Sequence, residues 1–150
     1  MSNSQATAQD AEVILKLYDL RREPVMREAR NFLFGFLPQS TDDLLAVIGD
    51  FSLKESAYLR QVVGYWDMAA SLVLRGALNE ELARDNFQEM LFVYSKLEPF
   101  LADVRAQTGM EGLAANIQKF VEKSPEARAR VVRFQERFAA MRAAAAKQSK

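Results

Sequence analysis

Residues 52–82 read SLKESAYLRQVVGYWDMAASLVLRGALNEEL, and this stretch decides the fold class. Apolar side chains recur in it at intervals of three and four residues, which is the spacing of one helix face. From Val62 onward the segment is apolar on most sides, a pattern typical of a helix surrounded by others. Gly76 can end this helix and Asn79 can cap the next one. Because short connections favour adjacent antiparallel packing, we predict a central antiparallel helical hairpin.

The rest of the chain continues the helical pattern on both sides of this hairpin. No segment shows sustained alternation of apolar and polar residues, so strands are not expected. We predict helices over about 10–20, 24–36, 41–48, from the Ser52–Glu55 capping box to Gly76, over 79–109, from about 111, and from the Ser124 cap to the C-terminal end. Pro99 lies inside the fifth helix, where the lost backbone hydrogen bond predicts a kink near 95–99 or two abutting helices. The predicted fold is all-α, a bundle of six or seven helices that ends in a long amphipathic helix.

Length and composition indicate a single domain without a membrane segment. A chain of 150 residues with 49% hydrophobic and 27% charged residues fits one globular domain. We predict a domain over 10–147, with disordered tails at 1–9 and 148–150. The first nine residues lack the regions of a secretory signal, and the longest apolar stretch, Val62 to Leu74, is shorter than the roughly 20 residues of a membrane span. A cytoplasmic location without membrane insertion is the expectation.

The absence of two residue types excludes several classes of chemistry. The sequence contains no cysteine and no histidine. Disulfides, thiolate nucleophiles, thiolate zinc sites, catalytic triads and imidazole metal sites are therefore excluded. Acid–base chemistry on carboxylates, lysines or tyrosines stays open, so an enzyme is the third-ranked hypothesis. We predict no catalytic residue, no metal site and no cofactor.

A polar seam interrupts the apolar central helix and supplies a candidate ligand site. Its members, spaced by four, three, four and four residues, are Arg60, Gly64, Asp67, Ser71 and Arg75. Asp67 decides the interpretation, because an ionised carboxylate in a core needs a partner. That partner is an arginine such as Arg27 or Arg30, the hydroxyl of Tyr94, or solvent; alternatively, the seam lines a small pocket. The candidate ligand-binding residues are Arg60, Tyr65, Trp66, Asp67, Ser71, Tyr94 and Glu98.

The C-terminal helix carries a heptad-like seam. Its apolar members are Ala127, Val131, Phe134, Phe138, Met141 and Ala145. The repeat covers fewer than three heptads, so two interpretations stay open. Either the seam packs on its own domain, or it forms an interface with a second chain. The candidate interface residues are Val131, Phe134, Phe138 and Met141.

Charge is distributed unevenly although the net charge is zero. Residues 124–150 contain seven basic and two acidic side chains, a net charge of +5, which leaves −5 on residues 1–123. The asymmetry indicates either an anionic partner or attraction within the chain. The basic residues lie around the helix, and no aromatic platform accompanies them. Binding to nucleic acid or to an anionic membrane is therefore not expected.

Two segments resemble a known kind of domain. The first is YWDMAASLVLRGALNEEL over residues 65–82; the second, over 92–105, contains LEPFL at 97–101 and Arg105. Together they resemble small bacterial all-helical domains of unknown function, over about residues 58–124. The resemblance implies a bacterial origin and a helical fold, and it implies no activity.

These observations rank the function classes. The leading hypothesis is a non-catalytic protein-interaction or scaffolding domain whose partner is itself or another protein, with self-association through the C-terminal helix. The alternative is a regulatory domain that binds a small ligand at the polar seam around Asp67.

Overall fold

The computed structural model describes residues 5–150, and this part of the chain contains eight α-helices and no strand. The helices are α1 (Ala8–Leu20), α2 (Pro24–Gly35), α3 (Thr41–Ile48), α4 (Lys54–Leu74), α5 (Glu80–Asn86), α6 (Gln88–Thr108), α7 (Ala115–Lys123) and α8 (Pro125–Gln148). The predicted all-α class is confirmed. Of the tail predicted over 1–9, residues 1–4 lie outside the described part of the chain.

The structure has one helix more than predicted because the fifth predicted helix breaks at Phe87 and not near Pro99. Phe87 leaves helical geometry at φ −100° and ψ 37°, and its buried ring contacts Trp66. α6 then runs through Pro99. A proline donates no N–H to the carbonyl four residues earlier. The side chain of Gln135, on α8, supplies the missing donor to the Ser95 carbonyl at 3.3 Å.

The predicted helix caps are correct at two positions and wrong at one. The side chains of Asn79 and Ser124 cap α5 and α8, as predicted. Ser52 does not cap α4, because its N–H and hydroxyl both donate to Asp50 Oδ1. The residue that precedes α4 is Leu53, which has no side-chain acceptor.

The core lies around α4 and α6, which have different neighbours. α4 packs mainly on α2 and α7, whereas α6 packs mainly on α8 and α3. α5 separates the two long helices in sequence, and they contact each other along a short stretch. The central hairpin predicted from the Gly76–Asn79 turn is therefore reduced to this short contact, and each long helix has its own set of partners.

α8 divides into two parts. In its first part, residues 125–138, Ala127, Val131 and Phe138 are buried and Phe134 is half-buried, because this part packs on α6 and α7. In the second part, residues 139–148, every residue except Arg142 is exposed. Arg142 Nη2 donates to the carbonyl of Pro38 at 2.6 Å. We call these two parts the packed half and the free end; the free end extends for about 15 Å at 1.5 Å per residue.

Candidate functional site

Asp67 caps a neighbouring helix. Its Oδ1 accepts from the backbone N–H groups of Asn116 at 2.8 Å and Ile117 at 3.1 Å, and its Oδ2 accepts from Asn116 Nδ2 at 2.9 Å. These backbone groups belong to the first turn of α7, where N–H groups have no partner inside the helix. The residue before α7 is Ala114, at φ 56°, which offers no side-chain acceptor. Asp67 therefore replaces the missing cap from a different helix, and both of its oxygens are hydrogen-bonded.

Arg30, which the sequence suggested as a partner of Asp67, binds Glu89 instead. Arg30 Nε lies 2.8 and 3.1 Å from the two carboxylate oxygens, and Arg30 Nη2 lies 2.8 Å from Oε2. Arg21 Nη2 approaches the same Oε2 at 3.7 Å. Two arginines on one carboxylate make this a charge-assisted network, and it joins the α1–α2 region to α6.

The aromatic residues beside Asp67 form part of the core. The Tyr65 hydroxyl donates to the carbonyl of Leu17 on α1, and burial raises the pKa of Tyr65 to about 12. Trp66 is buried, and its ring meets Phe87 edge-on with centroids 5.3 Å apart. The Arg21 guanidinium lies 5.4 Å from the Trp66 ring centroid. Both aromatic side chains thus hold α4 against its neighbours.

Tyr94 and Glu98 lie in the interface between α6 and α8. Glu98 Oε1 accepts from Arg128 Nη1 at 2.8 Å and from Gln135 Nε2 at 3.0 Å. Burial opposes ionisation of Glu98, but the hydrogen bonds from Arg128, Gln135 and Tyr94 outweigh it and hold the pKa of Glu98 below its ordinary value. Burial, together with the bond to Glu98, raises the pKa of Tyr94. This polar group fixes the packed half of α8 on α6.

The predicted ligand-binding residues do not share one pocket. Ser71 donates to a carbonyl of its own helix at 2.6 Å, and the exposed Arg60 guanidinium lies 4.7 Å from the ring centroid of Phe51. Arg60 and Asp67 border an open depression of about 280 Å³, whose far side is the turn at 112–114. The seven residues therefore lie in separate places. Arg60 and Asp67 border this depression, and the Ser71 hydroxyl bonds within α4. Tyr65 contacts α1, Trp66 contacts Phe87, and Tyr94 and Glu98 face α8.

Lys96 is a buried cation that the sequence analysis missed. Its side chain is 2% exposed, and its Nζ donates to the carbonyls of Leu33 and Phe34 at the end of α2. The ring centroids of Phe92 and Phe138 lie 4.4 and 5.7 Å from Nζ. Helix C-termini and aromatic faces both attract a cation. Desolvation nevertheless lowers the pKa of Lys96 to about 8. Lys96 therefore links α2 to α6 and α8. Its sequence neighbours, such as Leu97, did not indicate that a lysine at this position would be buried.

Three arginines of α8 form a second missed feature, which we call the arginine cluster. Arg130, Arg133 and Arg137 follow one another at three and four residues, so they lie along one flank of the helix. Together with Gln88 and the half-buried Phe134 they line a depression of about 190 Å³. By sequence, the basic residues are distributed all around α8. That holds for the set as a whole, but Arg128 and Arg142 turn inward and leave these three on one side.

The described part of the chain offers neither a metal-binding cluster nor a helix that could span a membrane. Among residues 5–150, no group of three or more Asp and Glu side chains is placed to hold a metal ion. None of the helices described above is both long enough and apolar enough to cross a membrane.

The family of the chain follows from its sequence over the first seven helices. Residues 6–124 match the family described as "Domain of unknown function (DUF4760)". The chain belongs to this family. The DUF4760 match includes the Asp67 cap on α7 and the Arg30–Glu89 pair, and it ends at Ser124, immediately before α8. The resemblance seen in the sequence, to a helical domain of unknown function, is confirmed, whereas the bacterial origin and the cytoplasmic location stay predictions.

Comparisons beyond the family add no further relative. Searches among curated proteins and among solved structures found no match to the chain. The DUF4760 description itself names no activity.

Proposed function

We propose that the chain is a non-catalytic protein-interaction domain that self-associates through the free end of α8. The observation that carries the proposal is the division of α8. Met141 follows Phe138 in the same apolar seam, yet Met141 is 53% exposed and Phe138 is 4% exposed. The free end also exposes the alanines at 139, 140 and 143–146. An apolar helix surface that leaves its own domain favours burial against a partner.

Charge indicates which surface of a second copy the free end would meet. If two free ends paired with each other, two segments of net positive charge would be brought together, and like charges across an interface oppose binding. Residues 1–123 carry −5, whereas residues 124–150 carry +5. We therefore propose that the free end of one copy docks on residues 1–123 of a second copy, which carry the opposite net charge. Such a head-to-tail contact builds rings or open chains.

Sedimentation velocity over a wide range of protein concentrations tests this proposal. We expect the weight-average sedimentation coefficient to rise with concentration, and to rise less at high salt because ions screen the attraction. Met141→Glu should weaken association, since it places a charge in the apolar contact. Val132→Glu is the matched control, because Val132 is 40% exposed on the opposite flank of α8. A monomer at every concentration would refute self-association, and a salt-independent dimer would refute the proposed docking surface.

Binding of a small ligand beside Asp67 is the second candidate function. The depression bordered by Arg60 and Asp67 is the observation that favours it. The carboxylate of Asp67 is already hydrogen-bonded three times, which leaves the Arg60 guanidinium as the group that would bind an anion. A thermal-shift screen of metabolites tests the hypothesis. Stabilisation by a ligand that disappears in Arg60→Gln would support it, and no stabilisation, or the same stabilisation in the variant, would refute it.

A further inference from the structure

The arginine cluster brings three positive charges together without a neutralising carboxylate. Arg130, Arg133 and Arg137 form no ion pair with any described residue. The neighbouring acid Glu126 is instead paired with Arg84, at 3.5 Å. Like charges on one helix flank repel each other. An anion bound in the depression would relieve that repulsion.

The other polar side chains near the cluster do not neutralise its charges either. Glu89, next to Gln88 in sequence, binds Arg21 and Arg30. The Gln88 amide nitrogen donates to the carbonyl of Arg84 at 3.1 Å, which orients the side chain at the rim of the depression. Glu136 lies on the same helix but is exposed and forms no ion pair within residues 5–150. The guanidinium groups are therefore available to a ligand.

We infer that the arginine cluster is a binding site for the phosphate group of a small phosphate monoester. Planar guanidinium groups donate paired hydrogen bonds to phosphate oxygens, and a phosphate dianion compensates three positive charges better than a single carboxylate does. The volume of about 190 Å³ suits a phosphate with a small attached group, since pockets for drug-sized ligands begin at about 300 Å³. The half-buried ring of Phe134 borders the same depression and offers an apolar face to that attached group. This inference does not depend on self-association, because it needs neither Met141 nor a second copy.

Nuclear magnetic resonance of the arginine Nε–Hε groups tests the inference with the full-length chain. Inorganic phosphate and phenyl phosphate are titrated in turn at constant ionic strength. We expect saturable shifts confined to Arg130, Arg133 and Arg137, with tighter binding of phenyl phosphate because its ring can contact Phe134. The double variant Arg133→Gln/Arg137→Gln should weaken phenyl phosphate binding by about tenfold or more, the equivalent of at least one charge-assisted hydrogen bond. Arg22→Gln is the matched control, since Arg22 is exposed and lies on the α1–α2 turn.

Three outcomes would overturn the inference. The first is the absence of saturable shifts with either probe. The second is an equal loss of binding in Arg22→Gln, which would indicate general attraction of anions to a positive surface. The third is binding only to polyanions: a single-stranded RNA or vesicles of phosphatidic acid would then bind with a steep salt dependence while the small phosphates do not.

Discussion

Replacement of Lys96 by methionine should remove a specific dependence of stability on pH. Methionine keeps the length and the apolar part of the side chain and removes the ammonium group. In the wild type the pKa of Lys96 is about 8 in the native state and 10.5 when unfolded. Between these values the unfolded chain holds a proton that the native chain has released. The free energy of unfolding therefore rises with pH in this window, because the native state no longer carries a buried cation.

The size of this rise follows from the two pKa values. Full release between pH 8 and 10.5 corresponds to about 3 kcal/mol at 1.36 kcal/mol for each pH unit. Tyr65 and Tyr94 act in the opposite direction, because their raised native pKa values mean that the unfolded tyrosines ionise first, above about pH 10. Measured from pH 7 to about pH 9.5, below most of the tyrosine titration, the wild type should gain about 2 kcal/mol.

Urea unfolding gives the measurement, because the fluorescence of the single tryptophan, the buried Trp66, follows the loss of the core. Lys96→Met should lack the gain, and its free energy of unfolding should stay flat over the same range. At pH 7 the two proteins should differ little. The variant is relieved of a buried charge, but the carbonyls of Leu33 and Phe34 lose their donor, at a cost of about 1 to 3 kcal/mol. Parallel pH curves for both proteins would refute the assignment of the depressed pKa to Lys96.

Two further substitutions test the contacts that position α7 and α8. Asp67→Ala should lower the free energy of unfolding by about 2 kcal/mol, because the first turn of α7 loses three hydrogen bonds from its cap, and equilibrium urea unfolding checks this. An unchanged midpoint would show that water replaces the carboxylate. Gln135→Leu should cost about 1 to 2 kcal/mol, since the Ser95 carbonyl freed by Pro99 and the Glu98 carboxylate both lose a donor. Gln61→Leu provides the comparison, since Gln61 lies on α4 with an exposed side chain.

The helices were predictable because their signals are local. Asn79 and Ser124 cap the helices that the sequence assigned to them, since the capping side chain and its target lie three residues apart. The break at Phe87 was not predictable in this way. It depends on the packing of Phe87 against Trp66, a contact between residues far apart in the chain, whereas the proline that seemed to demand a break is accommodated by Gln135 from another helix.

The candidate site was harder to predict because its polar residues pair across helices. The sequence showed correctly that Asp67 needs a partner, but the partner is the backbone at 116–117 and not an arginine side chain. Arg30 was considered for that role, and the structure gives it to Glu89, 59 residues away. Spacing along the chain does not specify such pairs. The arginine cluster was missed for the same reason. Its members are spaced by three and four residues, but only the structure shows that Arg128 and Arg142 turn inward and leave these three on one flank.

Hydrogen exchange along α8 at several protein concentrations tests most directly whether this helix has a packed half and a free end that binds a second copy. We expect amides at 128–138 to exchange only through global unfolding at every concentration. Amides at 143–148 should exchange rapidly in dilute solution and more slowly as the concentration rises. Rapid exchange along the whole of α8 would contradict the division into a packed half and a free end. Exchange of the free end that does not depend on protein concentration would contradict its binding to a second copy.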